Sequence, residues 1–349
     1  EAYTNLGNAQ SEQGKFQEAI SNYKKSLKLN PSYKESILNE SLIYLAQGKF
    51  ESAWEGYEQR FYKMNVTTMR YDFKKIWDGN YLDGTLLVWG EQGIGDHILF
   101  GSMINDLKKF AKNIVIEVDK RLVNLFNNYF IKMNFLNVKA ANLNKEIHRK
   151  FDKHIAIGSL GQFLRKSKAA FKNTPDKYLI ASTKKTEELK KEHFKNKKLK
   201  IGISWKTLNK KQQFRNIPIE QMIPILSTPN CIFVNLQFGD TNEDLKLIKS
   251  KYKINNQNIN EIDNFKDLEG LAALINCLDI VITIQNTTAH LSAALGKKTW
   301  IMLTKNSRWH WTINEKKSLW YPSAKLFQQK KLGNWNNVIQ DINDNLKKI

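Results

Sequence analysis

The sequence predicts an α/β protein in which two parallel-sheet domains follow an all-α repeat segment. Three observations carry that reading. A period of 34 residues runs through the start of the chain. From residue 85 onward short apolar runs alternate with helical patterns. One charged, strand-poor stretch at 172–198 divides that alternation in two.

The repeat comes first along the chain. Gly14-Lys15-Phe16 recurs as Gly48-Lys49-Phe50, and Ala19 and Tyr23 recur as Ala53 and Tyr57, all at an offset of 34. Small alanines let paired helices approach closely. The Gly-Lys-Phe turns separate one helix from the next, and Pro31 stands where the second helix must stop. This is the period of the tetratricopeptide repeat, and residues 1–62 resemble two such units. Two units are fewer than the three usually needed for stability. Either further repeats precede Glu1, which is not a natural Met, or these two dock on the next domain.

Residues 63–84 read as a polar and aromatic connector ending in Trp77-Asp78-Gly79. Residues 85–175 form the first Rossmann-like domain, with strands at 85–89, 114–118 and 155–157 and a helical pattern running to Phe110. Residues 176–198 read as a linker with a charged helix. Residues 199–349 form the second Rossmann-like domain. Its strands are expected at 200–205, 232–236, 280–284 and 299–303, with helices near 219–226, 242–251, 268–277 and 288–295. A C-terminal helix gathers Trp335, Val338, Ile339, Ile342 and Leu346 on one face. Two such domains are expected to enclose a cleft, and open parallel sheets bind ligands at the carboxyl ends of their strands.

Charge narrows the function classes. The net charge is +21, from 55 Lys+Arg against 34 Asp+Glu, but the excess is mostly Lys and is scattered. It fits anionic substrates and gives no focused stripe for specific nucleic-acid binding. Cys231 and Cys277 make neither a zinc site nor a disulfide framework. No signal peptide and no membrane-spanning apolar run is seen, so a cytoplasmic setting is expected.

Four places carry candidate chemistry. The first is Gly90-Glu91-Gln92-Gly93-Ile94-Gly95-Asp96-His97, between a strand and a helix. Gly93 and Gly95 let backbone N–H groups approach an anion, which a helix start favours. The spacing is not the dinucleotide fingerprint, which argues against a nicotinamide cofactor. Asp96 fits two roles, a general base or the N-cap of a helix starting at His97. His97 reads as an exposed first-turn residue.

The second place is Gln285-Asn286-Thr287-Thr288-Ala289-His290. Thr287 and Thr288 read as helix caps, with free N–H groups facing a phosphate and His290 beside it. A packed core role is the alternative for His290. At the third, Ser204-Trp205-Lys206-Thr207, Lys206 and Arg215 are placed to neutralise a diphosphate leaving group. The alternative is solvated surface. The fourth comprises Trp309-His310-Trp311 and Trp320-Tyr321-Pro322, whose rings either stack on sugars or fill cores, with core the default. Asp-x-Asp, P-loop, His-Glu-x-x-His and Gly-x-Ser-x-Gly motifs are all missing.

Ordered matches carry a family likeness. Trp54, Tyr57 and Arg60, then Trp77-Asp78-Gly79, Glu91 to Asp96, Leu278-Asp279-Ile280-Val281-Ile282, Ala289-His290-Leu291 and Trp320-Tyr321-Pro322 occur in sequence. Residues 85–349 resemble glycosyltransferase family 9, the heptosyltransferase-like group with the GT-B fold. The whole chain looks like bacterial proteins that fuse tetratricopeptide repeats to such a module.

The resemblance implies a metal-independent, inverting transfer of a hexosyl or heptosyl group from a nucleotide sugar, with no cofactor and no bound metal. It implies Asp96 as general base and Lys206, Asn286, Thr287, Thr288 and His290 around the donor phosphates; Gly93, Gly95 and Arg215, from the residue reading, and Gln285 complete the expected donor set. It implies an acceptor on the first domain, a protein or a glycan, and the repeats add a protein partner. The chain departs from the family at Gln285, where Asp is common. That departure motivates a second reading: a transferase fold that has lost catalysis and serves as a binding scaffold.

Overall fold

The computed structural model describes residues 1–62, 69–130, 134–137 and 151–349. These pack as two compact units. The first comprises Glu1–Val123, Phe130–Pro175 and Asn306–Glu315, and the second comprises Asn124–Tyr129, Asp176–Lys305 and Lys316–Ile349. Among the described residues no helix is long and apolar enough to cross a membrane.

The first unit opens with four helices: α1 (Ala2–Glu12), α2 (Phe16–Leu29), α3 (Lys34–Ala46) and α4 (Trp54–Tyr57). The period is visible bond by bond. The Lys15 N–H donates to Gln10 O and the Lys49 N–H to Tyr44 O, each at 2.9 Å. Gly14 and Gly48 sit at φ of 76° and 73°, the left-handed turn that ends a helix without a Cβ clash. Ala19 and Ala53 are both fully buried, as close helix approach requires.

The two copies then diverge, because α4 tightens after one turn into a 3-10 segment, Glu58–Tyr62. The repeats also dock. The Trp54 indole donates to Arg165 O at 2.8 Å and fills the space a Cβ on Gly161 would need. Phe50 packs against Phe171 with ring centroids 4.8 Å apart.

The sheet of this unit is fully parallel. Its strands are β1 (Lys75–Ile76), β2 (Leu82–Trp89), β3 (Ala111–Val118), β4 (Asn134–Asn137) and β5 (Lys153–Ala156), in the order β1-β5-β2-β3-β4. Edge strand β1 comes from the expected connector. It is two exposed residues long, too short to leave a sequence pattern. Residues 63–68 of that connector lie outside the described residues. The helical pattern towards Phe110 resolves into α5 (Ile94–Gly101) and a 3-10 segment, Ile104–Lys109.

The second unit carries six parallel strands, β6 (Leu199–Ser204), β7 (Cys231–Asn235), β8 (Asn256–Gln257), β9 (Ile280–Ile284), β10 (Thr299–Leu303) and β11 (Ala324–Gln328), ordered β11-β10-β9-β6-β7-β8. Counted from β6 this is 3-2-1-4-5-6, the doubly wound order of dinucleotide-binding folds. Every residue of β9 and β10 is buried, as expected for central parallel strands covered on both faces. The C-terminal helix Asn336–Leu346 delivers Val338, Ile339, Ile342 and Leu346 to one core with Ile201, Ile203, Ile280 and Ile282. The charged helix Thr183–His193 belongs to this unit, where the Cys277 thiol donates to Thr186 O at 3.4 Å.

Candidate functional site

In the first sheet the connections run one way from β2 through β3 and β4 and the other way to β5. Such a reversal opens a binding position at the carboxyl ends of β2 and β5. The turn after β2 fills it. Gly93 is the true N-cap of α5, with extended backbone (φ −103°, ψ 169°). Asp96 is therefore the third residue of the helix and not its cap. The helix starts at Ile94, earlier than His97, because the Gly93 carbonyl already accepts from the His97 N–H at 3.2 Å. Asp96 Oδ2 reaches back to accept the Gly93 N–H at 3.0 Å. That donor is thus spent on Asp96 and not left open for an anion. Gly95 lies half-buried in the first turn.

Asp96 is half-buried. Burial pushes its carboxyl above the ordinary range, while the Arg308 guanidinium and the Gly93 N–H pull it down and Glu91 adds to the rise. A carboxylate held reluctantly charged is a better proton acceptor than one at ease.

His97 is buried, contrary to the exposed position expected. Gly90 makes room for it, since a Cβ there would stand 2.6 Å from His97 Cε1. His97 Nδ1 accepts the Asp119 N–H at 2.9 Å, and burial pulls its pKa down to about 4. It is a neutral packing residue.

The turn is braced from the repeats. Arg60 grips Glu91 with two parallel bonds, Nε to Oε2 at 2.9 Å and Nη2 to Oε1 at 2.7 Å, both side chains buried. Glu91 Oε1 also accepts the Gly158 N–H at 3.1 Å, tying in the end of β5. Gln92 occupies the left-handed region (φ 61°), unusual for a non-glycine, and its amide donates to the Tyr57 hydroxyl at 3.0 Å. In the sequence Tyr57 stands out as a repeat position and a family match, and Arg60 only as a family match. Their bracing role needs the three-dimensional pairing.

Asp96 opens on a cavity of about 570 Å³ within this unit. The repeat helices α1 to α3 form one wall, and Asn306 to His310 form another. Trp309 is half-buried on that wall, whereas Trp311 and Trp320 are fully buried core. The Asn306–Glu315 segment departs from the second-domain sequence to pack in the first unit, where the Ile313 N–H donates to Ala46 O at 2.7 Å. No sequence pattern announces that excursion.

In the second sheet the reversal lies between β6 and β9, and the second and third candidate places meet there. The cap of the helix Thr287–Ala294 is Asn286, not Thr287 or Thr288: its side chain accepts the Ala289 N–H at 3.3 Å. Thr287 is half-buried and Thr288 is buried in the first turn. Asn286 Nδ2 donates to Ser204 Oγ at 2.8 Å, and Ser204 Oγ donates to Gln237 Oε1 at 3.0 Å. Gln237 Oε1 further accepts the Lys206 N–H at 2.9 Å. Gln237, at the end of β7, is a site residue the sequence reading missed. Its only signal is the pair of amides, Asn235 and Gln237, at the end of an apolar strand.

The charged and aromatic candidates are mostly committed. Lys206 Nζ pairs with Asp244 at 2.7 Å. Arg215 is buried and donates to Gln212 at 2.9 Å. The Gln285 amide is buried and donates to Thr304 Oγ1 at 2.9 Å. His290 is buried, with Nδ1 bonded to the Tyr321 hydroxyl at 2.7 Å. The structure therefore gathers Lys206, Asn286 and Thr287 at the strand ends, and turns His290 and Gln285 towards protein partners.

Comparison with known proteins bears on both parts. The tetratricopeptide repeat family matches residues 1–33. The "family 9 glycosyl transferase" of Veillonella parvula superposes with a TM-score of 0.50 at 14% identity, covering 78% of this chain and 91% of that one. The ADP-heptose lps heptosyltransferase II of E. coli gives 0.51 at 13%, covering 76% and 99%. The α/β part has the fold of family 9 glycosyltransferases. Protein FlbA of Caulobacter vibrioides is 28% identical over 362 residues. That match takes in 96% of this chain, which spans 59% of the length of that relative. Likeness at these identities speaks for the fold, and function has to be argued from the site.

Proposed function

We propose that this chain is a glycosyltransferase that moves a sugar from a nucleotide-sugar donor to an acceptor hydroxyl. The observation that carries the reading is Asp96, a half-buried carboxylate with a raised pKa at the end of β2, opening on a cavity large enough for a substrate. Asp96 takes the proton of the acceptor hydroxyl. The oxygen attacks the anomeric carbon, forming one C–O bond as the bond to the diphosphate breaks, with inversion. The second unit holds the donor. Lys206 and the start of the Thr287–Ala294 helix supply positive charge for the departing diphosphate, with no metal required. The sugar is of the hexosyl or heptosyl class.

One observation favours the alternative, a scaffold without catalysis. Gln285, His290 and Lys206 are all engaged by protein partners. A diphosphate has to share Lys206 with Asp244. Thermal-shift measurements across a panel of nucleoside diphosphates separate the readings. A ligand at a hundred times its Kd stabilises the fold by about 2.7 kcal/mol. The transferase reading expects one nucleotide to do so, less strongly in Lys206→Ala. Silence across the panel supports the scaffold.

A further inference from the structure

The Asn306–Glu315 segment leaves the second-domain sequence to pack in the first unit, and it is pinned there along its length. The Asn306 amide donates to Glu12 O at 2.8 Å, the Ile313 N–H donates to Ala46 O at 2.7 Å, and Lys168 Nζ donates to Glu315 at 2.8 Å. Between these ties Trp309 packs edge-on against Trp54 and Tyr57 of the repeats, with ring centroids 5.8 and 5.6 Å away. It also stacks on Phe100 at 6.3 Å. Phe100 lies four residues beyond Asp96 on α5, and residues at that spacing share one face of a helix. Seating Trp309 there brings its neighbour Arg308 to the Asp96 side of the cavity, which both residues line.

The segment is held against local preference. Thr312 and Asn314 both take the left-handed region, at φ of 50° and 62°. That conformation is a true outlier for a β-branched residue such as Thr312. The Thr312 hydroxyl is also buried, with no hydrogen-bond partner among the described residues. Such features persist where the surroundings enforce them, and they cluster at functional sites.

Asp96 meets two opposed requirements. Burial and nearby Glu91 strengthen it as a base, but a base already protonated at rest accepts nothing. The titratable groups on the cavity with it are Glu12, Tyr23, Tyr57, Arg60, Arg308 and His310. Glu12 is exposed and His310 is buried. Burial pushes both phenols up, so they stay neutral. Arg60 is engaged by Glu91 and Glu58. Arg308 is exposed, so burial does not penalise its charge, and its guanidinium favours the ionised form of Asp96.

We infer that Arg308 is a positioning residue of the transfer: the Asn306–Glu315 segment holds its guanidinium beside Asp96 and so keeps that carboxyl ionised, ready for the acceptor's proton. This inference rests on the transferase reading. It gives the excursion of the segment a role in the chemistry.

The test uses the full chain. Asp96→Asn is made in three backgrounds, wild type, Arg308→Gln and Arg308→Lys, and melting temperatures are measured across pH. Release of nucleoside diphosphate from a panel of nucleotide sugars, with oligosaccharide and peptide acceptors present, is followed over the same range. At neutral pH the stability gained through Asp96→Asn should be larger in Arg308→Gln than in the other two backgrounds. That difference should vanish below the carboxylate range, where Asp96 is neutral. The acid limb of turnover should move to higher pH in Arg308→Gln, leaving it about tenfold slower than wild type on that limb, and Arg308→Lys should restore it. An equal gain in all three backgrounds overturns the inference, as does an acid limb that stays in place in Arg308→Gln. A background-dependent gain in a protein that releases no nucleoside diphosphate overturns the transferase reading, and with it the role of Arg308 in transfer, while leaving the charge coupling intact.

Discussion

At the end of β2 the chain places a carboxylate whose charged form is disfavoured, whereas at the ends of β6 and β9 it places amides and hydroxyls that satisfy one another. Both positions are strand-order reversals in parallel sheets, so topology alone makes them equivalent. Under the proposed transfer the two positions face different demands. A base must be uncomfortable when charged, and its surroundings must be rigid enough to keep it so. Arg60, Tyr57 and Gly158 supply that rigidity through Glu91 and Gln92. The diphosphate site proposed there needs oriented neutral dipoles, and the Asn286–Ser204–Gln237 chain offers those without adding negative charge of its own.

The comparison breaks most visibly at the brace. Arg60→Ala leaves Glu91 buried and unpaired, and a loss of about 3–5 kcal/mol is expected in chemical denaturation. The paired change Arg60→Met with Glu91→Leu should recover much of that stability yet not the geometry of the turn, so turnover stays low. Loss of stability by the pair equal to that of the single variant would show that the ion pair is not the source.

Acid comes next. His97 has a folded pKa near 4, below its unfolded value of about 6.5. The unfolded chain therefore binds the proton first, and stability is lost as pH falls from about 6.5 towards 4, by up to ~3 kcal/mol. His97→Gln should flatten that part of the stability curve. An unchanged slope would remove His97 as its cause.

On the amide side, Asn286→Ala removes the helix cap and the bond to Ser204 and should cost about 1–2 kcal/mol. It should also weaken nucleotide binding, while the Arg60 and His97 variants leave that affinity alone. The smallest effect has the opposite sign. Because burial raises the Asp96 pKa, its ionised form opposes folding, so Asp96→Asn should be the more stable protein at neutral pH. The advantage should fade below the carboxylate range, where both side chains are neutral. Melting curves across pH test this.

Much of this architecture was legible in the sequence. The repeat offset located both Gly-Lys-Phe turns between helices, and the apolar runs located β9 and β10 to the residue. Short or polar edge strands such as β1 and β8 have two residues each and carry no periodic signal. Local motifs also located the strand-end turns. What they could not reveal were pairings across long separations, such as Arg60 with Glu91, Asn286 with Ser204, or the passage of Asn306–Glu315 onto the repeats. Cap assignments slipped by one to three residues because Gly93 and Asn286 take the extended backbone that a cap needs, ahead of the residues whose side chains suggested it.

The central claim is that Asp96 is the base of a sugar transfer. It is tested most directly by measuring turnover of a nucleotide sugar by wild type and Asp96→Asn, with nucleotide affinity determined on the same samples. The account predicts a fall in turnover of about 10²–10⁴-fold with nucleotide affinity unchanged. Turnover at the wild-type rate in Asp96→Asn would contradict it.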